Sequence, residues 1–180
     1  MATHPDLRTA VTIVMAINLA GGIVYVLAAQ PTPGFEADPF TRWLVEHRGT
    51  ALLLAAVAGP LLGVLWYSIW TSLVTWLGRA FGGTGTLRGT FAAFAFAGVP
   101  PAALGIPLQV VPAVFGPFAM LAVFPLSLVI GGWGIVLSVF AIRESHRIST
   151  GSAVGVIAIL TLLVFVVFLV AGIGLMAGLV

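Results

Sequence analysis

The sequence predicts an all-α, polytopic membrane protein with five transmembrane helices, and three observations support this class. Of the 180 residues, 61% are hydrophobic and 7% are charged, and the mean hydropathy is +1.20. Several apolar stretches reach the roughly 20 residues that a helix needs to cross a hydrocarbon layer of about 30 Å. None alternates with the period of two that a membrane β-barrel requires. We therefore expect one transmembrane domain over residues 1–180.

The first two predicted spans cover about 9–29 and about 50–77. The first carries Asn18 near its middle, and an amide at that depth needs a partner. Asn18 is either a ligand or ion contact or, as we expect, one side of an interhelical hydrogen bond worth about 1 kcal/mol. The second span is longer than the hydrocarbon layer is thick, and we expect Pro60 to kink it.

A short amphipathic helix is predicted between these spans, over about 39–47. It follows a loop at 30–38, and Asp38 before Pro39 is typical of a helix start. We expect this helix to lie flat in the membrane interface as an anchor. Its apolar face consists of Phe40, Trp43, Leu44 and His47.

Prolines set the third and fourth spans, about 90–111 and about 113–142, apart from the others. They stand at positions 100, 101, 107, 112, 117 and 125. Proline removes a backbone hydrogen bond and clashes with the preceding turn, so we expect a break around Pro100–Pro101 and a tight turn near 112–117.

Broken helices are also where transporters bind their substrates. A solute path in this chain would have to pass Asn18, Gln109 and Ser127, the polar side chains nearest to the proline-rich spans.

Two charged loops interrupt the apolar segments. The first, 77–89, is rich in glycine and carries two arginines without an acidic residue; the second, 143–151, precedes the fifth span at about 153–179. We expect both loops to contribute to one interfacial patch that contacts partners or lipid headgroups. Its predicted residues are Arg79, Gly82, Gly83, Gly85, Arg88, Arg143, Glu144, His146 and Arg147.

The first charged loop matches only part of the sequence pattern of a phosphate-binding loop, because no Gly-Lys-Ser/Thr follows Gly82–Gly85. We therefore expect no nucleotide site. Two interpretations stay open. Arg79, Arg88 and the loop N–H groups contact lipid phosphates, or the segment is a helix cap and turn that is polar because it lies at the interface.

Arginine counting predicts the orientation in the membrane. Five of the seven positive residues lie in the N-terminus or in the two charged loops, whereas Arg42 and Arg48 on the other side are balanced by acidic residues. We expect a cytoplasmic N-terminus, an extracytoplasmic C-terminus and a location in the cell membrane. The absence of lysine indicates a GC-rich, prokaryotic genome.

Catalytic and metal-binding chemistry is not expected. No Asp, Glu, Arg or His lies within a predicted span, so a proton-coupled pump is disfavoured. The topology places His47 on the opposite side from His4 and His146, and the chain has no cysteine. We therefore expect no enzyme, no cofactor and no metal site, and the scattered arginines do not form a nucleic-acid surface.

These segments resemble the Yip family of membrane proteins (Ypt-interacting proteins) over roughly residue 50 to the end. The resemblance rests on Trp76 through Thr86 entering the third span, on Pro100 within it, and on Trp133 followed by Glu144 through Ser149. It implies a five-helix membrane domain with a cytosolic N-terminus. Eukaryotic members bind Rab-type GTPases and partner Yip proteins in vesicle traffic and membrane shaping. The resemblance supplies no catalytic residues.

The sequence therefore favours a non-enzymatic scaffold, a partner-binding protein or an accessory subunit of a larger membrane assembly. Its expected partners are membrane lipids and other membrane proteins or a second copy of itself. The alternative is a channel or transporter for an uncharged or lipid-like solute, and a lipid-modifying enzyme ranks third.

Overall fold

The computed structural model describes residues 6–29 and 39–178, and the predicted loop at 30–38 with its cap Asp38 lies outside them. Within the described residues all regular structure is helical. A 3-10 turn at Pro117–Ala119 precedes the sixth α-helix. The α-helices are α1 (Leu7–Ala28), α2 (Pro39–Glu46), α3 (Arg48–Ala80), α4 (Leu87–Leu108), α5 (Val111–Phe115), α6 (Met120–His146) and α7 (Thr150–Ala177).

Five segments of the part of the chain that the structure describes are long and apolar enough to cross a membrane, which confirms the predicted fold class. They are α1, α3, α4 together with α5, α6, and the part of α7 up to Ile173. α3 has 33 residues, and a helix of that length measures about 50 Å. The short helix α2 is amphipathic, with Leu44 buried and Phe40 exposed. It joins α3 almost directly, through His47.

The predicted break at Pro100–Pro101 is not present, because α4 continues as one helix from Leu87 to Leu108. Neighbouring helices pack against α4 at and after this proline pair. Pro101 lies against Gly134 of α6, and Ile106 lies against Gly21 of α1. Packing of this kind allows transmembrane helices to tolerate proline. α3 likewise continues through Pro60.

The interruption occurs after α4 instead, between Gln109 and Ala119. The chain turns at Gln109 and Val110, forms the short helix α5, and reverses at Gly116, whose φ of 84° is a conformation that favours glycine. The predicted tight turn near 112–117 therefore coincides with this region. The fourth span begins at Met120 rather than at Ala113 and continues unbroken through Pro125.

Asn18 lies where α1 packs along α3, but it forms no bond to α3. Its Nδ2 donates to the carbonyl of Val14 in its own helix, over 2.8 Å. The predicted interhelical hydrogen bond is thus replaced by an intrahelical one. The amide group occupies the space in front of Gly63, where a Cβ would meet the amide atoms within 3.0 Å. Asn18 therefore contributes shape to this interface.

Burial is concentrated at the end of the molecule where α3, α6 and α7 meet. The largest core cluster there consists of Val74, Leu77, Phe94, Ala141, Ile142, Ala153, Val156 and Leu160. Beyond Leu160, the large apolar side chains of α7 up to Ile173 that the structure describes are exposed or half-buried, as expected for side chains that face lipid. The well-packed end is the one that carries both charged loops.

Candidate functional site

Residues 81–86 are the central part of the first charged loop, and we call them the glycine loop from here on. They connect α3 to α4 and lie against the C-terminal end of α6. Local chemistry explains its shape. α3 ends in a turn at Gly82, whose φ is 84°. Thr86 caps α4 by accepting a hydrogen bond from the Gly89 N–H, over 3.2 Å. The result is a compact link between two spans.

His146, the last residue of α6, lies completely buried beneath this loop with 0% of its surface exposed. Its Nε2 is 2.9 Å from the Thr90 hydroxyl oxygen, and that hydroxyl lies 3.0 Å from the Thr86 carbonyl. The hydroxyl has one proton. If it donates that proton to Thr86, it accepts from His146 Nε2–H, so both bonds form together in the Nε2–H tautomer.

Three glycines enclose the imidazole ring, and together with Thr90 and His146 we call them the histidine cradle. A Cβ at Gly78 would lie 2.7 Å from His146 Nδ1, and a Cβ at Gly85 would lie still closer. A Cβ at Gly83 would lie 2.8 Å from His146 Cβ. Real Cβ atoms essentially never approach this closely, so the cradle requires glycine at all three positions.

The Nδ1 atom of His146 has no hydrogen-bond partner. Within residues 6–29 and 39–178 it is the one fully buried side-chain nitrogen or oxygen in this condition. Leaving such an atom unsatisfied costs about 1–3 kcal/mol, and an unexplained buried polar atom often marks a functional feature. Because the ring is sealed, it cannot act as a base on an external substrate.

Backbone hydrogen bonds fix the loop to both neighbouring helices. The Thr84 N–H donates to the His146 carbonyl over 3.0 Å, and the Gly83 N–H donates to the Gly78 carbonyl over 2.9 Å. The Arg79 Nε donates to the Gly85 carbonyl over 3.2 Å. Arg79 therefore helps to hold the loop as well as adding a charge.

The exposed charges around the cradle belong to Arg79, Arg88, Arg143, Glu144 and Arg147, which we call the arginine surface. Arg143 Nε donates to Glu144 over 3.0 Å. The Arg143 Cζ atom also lies 5.1 Å from the centre of the Phe140 ring. An exposed ion pair such as Arg143–Glu144 contributes at most about 1 kcal/mol. With four arginines and one glutamate, the surface keeps an excess of positive charge.

The structure brings the two predicted loops together, but it separates the predicted residues into two groups. The arginines and Glu144 are at the surface or half-buried, with Gly82 exposed, whereas His146, Gly83 and Gly85 belong to the cradle beneath. His146 is thus not part of an exposed patch. The sequence pattern did not identify Gly78 and Thr90 as neighbours of His146. No local feature of the sequence indicates a contact between Thr90 and His146, which are 56 residues apart.

Asn18, Gln109 and Ser127, the residues of the predicted solute path, have different surroundings in the structure. Gln109 lines a cavity of about 560 Å³ near the end of α4, together with Tyr25, Thr41 and apolar residues such as Met120. Asn18 and Ser127 do not line it. Ser127 is exposed on α6. The described residues contain no group of three His, Cys, Asp or Glu that could hold a metal ion.

Comparison with known proteins identifies the family. No curated protein and no solved structure matches the chain. The sequence model of the Yip1 domain matches residues 1–172, which include all five spans up to the last residues of α7. This match agrees with the resemblance seen in the two charged loops and with the five membrane-spanning helices. The chain is therefore a member of the Yip1 domain family, a membrane protein whose described residues include five helices long and apolar enough to span a membrane.

Proposed function

We propose that this protein is a non-enzymatic membrane scaffold that binds a partner membrane protein, or a second copy of itself, through the arginine surface. The proposal places this surface on the cytoplasmic side of a prokaryotic cell membrane, in agreement with the distribution of arginines. Lipid headgroups surround the surface and contact its outer edge.

The observation that carries the proposal is the burial of His146 beneath the glycine loop. The cradle and the Thr84–His146 backbone bond hold the two charged loops in one arrangement before any partner arrives. A preorganised surface loses less conformational entropy on binding than two independent loops would. Arg88 and Arg147 are exposed and positively charged, so they suit an acidic segment of a partner.

Site-specific cross-linking tests this role. A photoreactive residue in place of Arg88 should capture a defined partner chain in intact membranes, and the same residue in place of Phe40, at the other end of the molecule, should not. The double variant Arg88→Gln/Arg147→Gln should reduce co-purification of that partner at least tenfold while insertion stays normal. Arg79 is left unchanged because it also holds the loop.

Arg42→Gln is the matched control, since it removes a positive charge from α2 at the opposite end. Unchanged co-purification of the partner in the Arg88/Arg147 double variant would contradict a docking role for this surface.

Transport of a lipid-like solute is a second candidate, and the cavity beside Gln109 favours it. Its mostly apolar lining with Tyr25, Thr41 and Gln109 suits an amphiphile. Gln109→Leu should then reduce labelling of the protein by a photoreactive lipid. If labelling stays the same, the cavity does not select this class of ligand.

A further inference from the structure

We propose that His146 is an acid-sensitive latch: protonation of its ring releases the glycine loop from the end of α6 and separates the two halves of the arginine surface. Only the biological consequence of the latch depends on the proposed docking role. Its structural basis is the cradle itself, which can be tested without a partner.

The neutral ring fits the cradle with one hydrogen bond. In the Nε2–H tautomer the ring donates to Thr90, and the unpartnered Nδ1 atom lies where a Cβ at Gly78 or Gly85 would overlap with it. Nothing within the described residues donates to its lone pair. The site therefore holds an uncharged imidazole in a closed, water-excluding enclosure.

A protonated ring does not fit the same enclosure. It carries a second N–H at Nδ1, which needs an acceptor, and a positive charge that is buried without a counter-charge. Within the described residues Nδ1 has no hydrogen-bond partner in the closed arrangement. The closed form therefore binds a proton poorly, and any open form that hydrates the ring binds it better.

The charged groups of the surrounding elements add to this preference. α3 places the Arg79 guanidinium where its positive charge acts on the ring, and α4 carries Arg88 in its first turn. The loop and the first turn of α7 contain no titratable residue.

α6 itself contributes Arg143, and Arg147 directly follows it. The one carboxylate of α6, Glu144, is paired with Arg143. Within the described residues no carboxylate is a hydrogen-bond partner of the ring that could stabilise the imidazolium.

The glycine loop is the segment that we expect to move away from α6. Its attachment to α6 consists of the cradle contacts and the Thr84 N–H bond to the His146 carbonyl, and its Gly82 and Thr84 are exposed. The ends of α3, α6 and α7 are instead joined by buried apolar side chains. Protonation should therefore displace residues 81–86, including the Thr86 cap, together with the first turn of α4 that carries Arg88, while the rest of the helices stays in place. Arg88 then no longer has a fixed position relative to Arg147.

Hydrogen exchange measured on the full chain in lipid nanodiscs tests the latch. Protection factors, corrected for the intrinsic pH dependence of exchange, are compared between about pH 8 and about pH 4.5, a range that includes the ordinary titration of histidine. The amides of Gly83 and Thr84 should lose protection at least tenfold at the acidic end. The α1–α3 interface around Gly63 should change less than twofold.

Two further measurements assign the effect to His146. Nitrogen NMR of the histidine rings should show the Nε2–H tautomer at pH 8 and a titration that coincides with the loss of loop protection. His146→Gln keeps a donor towards Thr90 but does not titrate, so its loop protection should be independent of pH. His4 and His47 remain in this variant and serve as internal controls.

Constant loop protection while the His146 ring titrates would overturn the latch, as would an unchanged acid response in His146→Gln. If that variant does not fold, the ring and loop titrations of the unmodified protein decide alone: coincident midpoints support the latch, and separate midpoints overturn it. Cross-linking from position 88 at both pH values is scored separately. If position 88 captures no partner at either pH while the hydrogen-exchange result is as expected, the docking role is overturned and the latch is not.

Discussion

Glycines at different positions in this chain differ in what a methyl group would meet. At Gly131 in α6 a Cβ would have no heavy atom within 4 Å, whereas at Gly78, Gly83 and Gly85 it would overlap with His146 or with backbone. The first kind of glycine is conformationally replaceable. The second kind holds the histidine cradle together.

Gly85→Ala should lower the free energy of unfolding by about 1–3 kcal/mol, because the added methyl group forces the ring or the loop to move. Gly131→Ala is the control, and it should be neutral or stabilising by up to about 1 kcal/mol, since alanine favours a helix over glycine. Denaturant titration in a mild detergent measures both. Equal stability of the two variants would show that the loop does not pack on His146 as described.

Thr90→Val keeps the shape of the side chain but removes the oxygen that pairs with His146 Nε2. The buried ring then has no hydrogen-bond partner, so we expect a loss of about 1–3 kcal/mol. Thr12→Val is a matched control, because the Thr12 hydroxyl is exposed and bonds only to the Arg8 carbonyl of its own helix. The same denaturant titration should give a change of less than about 0.5 kcal/mol for the control.

His146 shows what the sequence could not reveal at the scale of a residue. Its neighbours Arg143, Glu144 and Arg147 are charged, which indicates an exposed loop, and the arginine surface does include all three. The burial of His146 depends on Thr90 and on three glycines from another part of the chain. No periodicity or local propensity encodes such a contact, whereas the exposure of the charged side chains follows directly from the cost of burying them.

At the scale of the element, α1 and α3 pack closely because small residues face larger ones across the interface. Asn18 fills the space in front of Gly63, and Gly22 faces Ala55. Close approach of helix backbones is a main source of stability in membranes, where lipid is as apolar as the side chains. The fit at Asn18 can therefore be tested by exchanging volume between the two helices.

Gly63→Ala should destabilise the protein by about 1–3 kcal/mol through overlap with the Asn18 amide. Asn18→Ala removes that amide, so the double variant Gly63→Ala/Asn18→Ala should recover at least half of the loss. Gly105→Ala, where a Cβ meets nothing within 4 Å, controls for the effect of alanine in a helix. Strictly additive losses in the double variant would refute direct packing between these positions.

The helices also show where sequence rules succeed and where tertiary contacts override them. Hydropathy located all five spans, because an apolar helix of about 20 residues is the ordinary solution for a chain in lipid. Proline rules predicted a tight turn near 112–117, where the chain forms the short helix α5 and turns at Gly116, and they predicted a break in α4 that is absent. The unbroken helix depends on support from α1 and α6, which a rule applied to α4 alone does not include.

At the scale of the whole molecule, the five spans place the two ends of the bundle on opposite sides of the membrane. The charged loops before α4 and before α7 lie at one end, and α2 lies at the other. The arginine distribution then predicts that the charged loops face the cytoplasm.

The chain contains no cysteine, so introduced cysteines report the orientation without background. In intact cells a membrane-impermeant maleimide should label Glu46→Cys and should not label Ser149→Cys. Glu46 is the last residue of α2, Ser149 directly precedes α7, and both are exposed. Both variants should react after permeabilisation, which controls for accessibility. The reverse pattern in intact cells would invert the topology and place the arginine surface outside.

Arg147 ends α6 in the left-handed conformation, with φ of 55° and ψ of 40°, at a position where helices usually carry glycine. An L-residue there is strained by about 1 kcal/mol or more. Arg147→Gly should therefore raise the free energy of unfolding, by up to about 1 kcal/mol, while it removes a charge from the docking surface. A gain in stability together with weaker partner capture would mean that the residue at position 147 is a compromise. Folding would favour glycine there, and recognition of the partner would favour arginine.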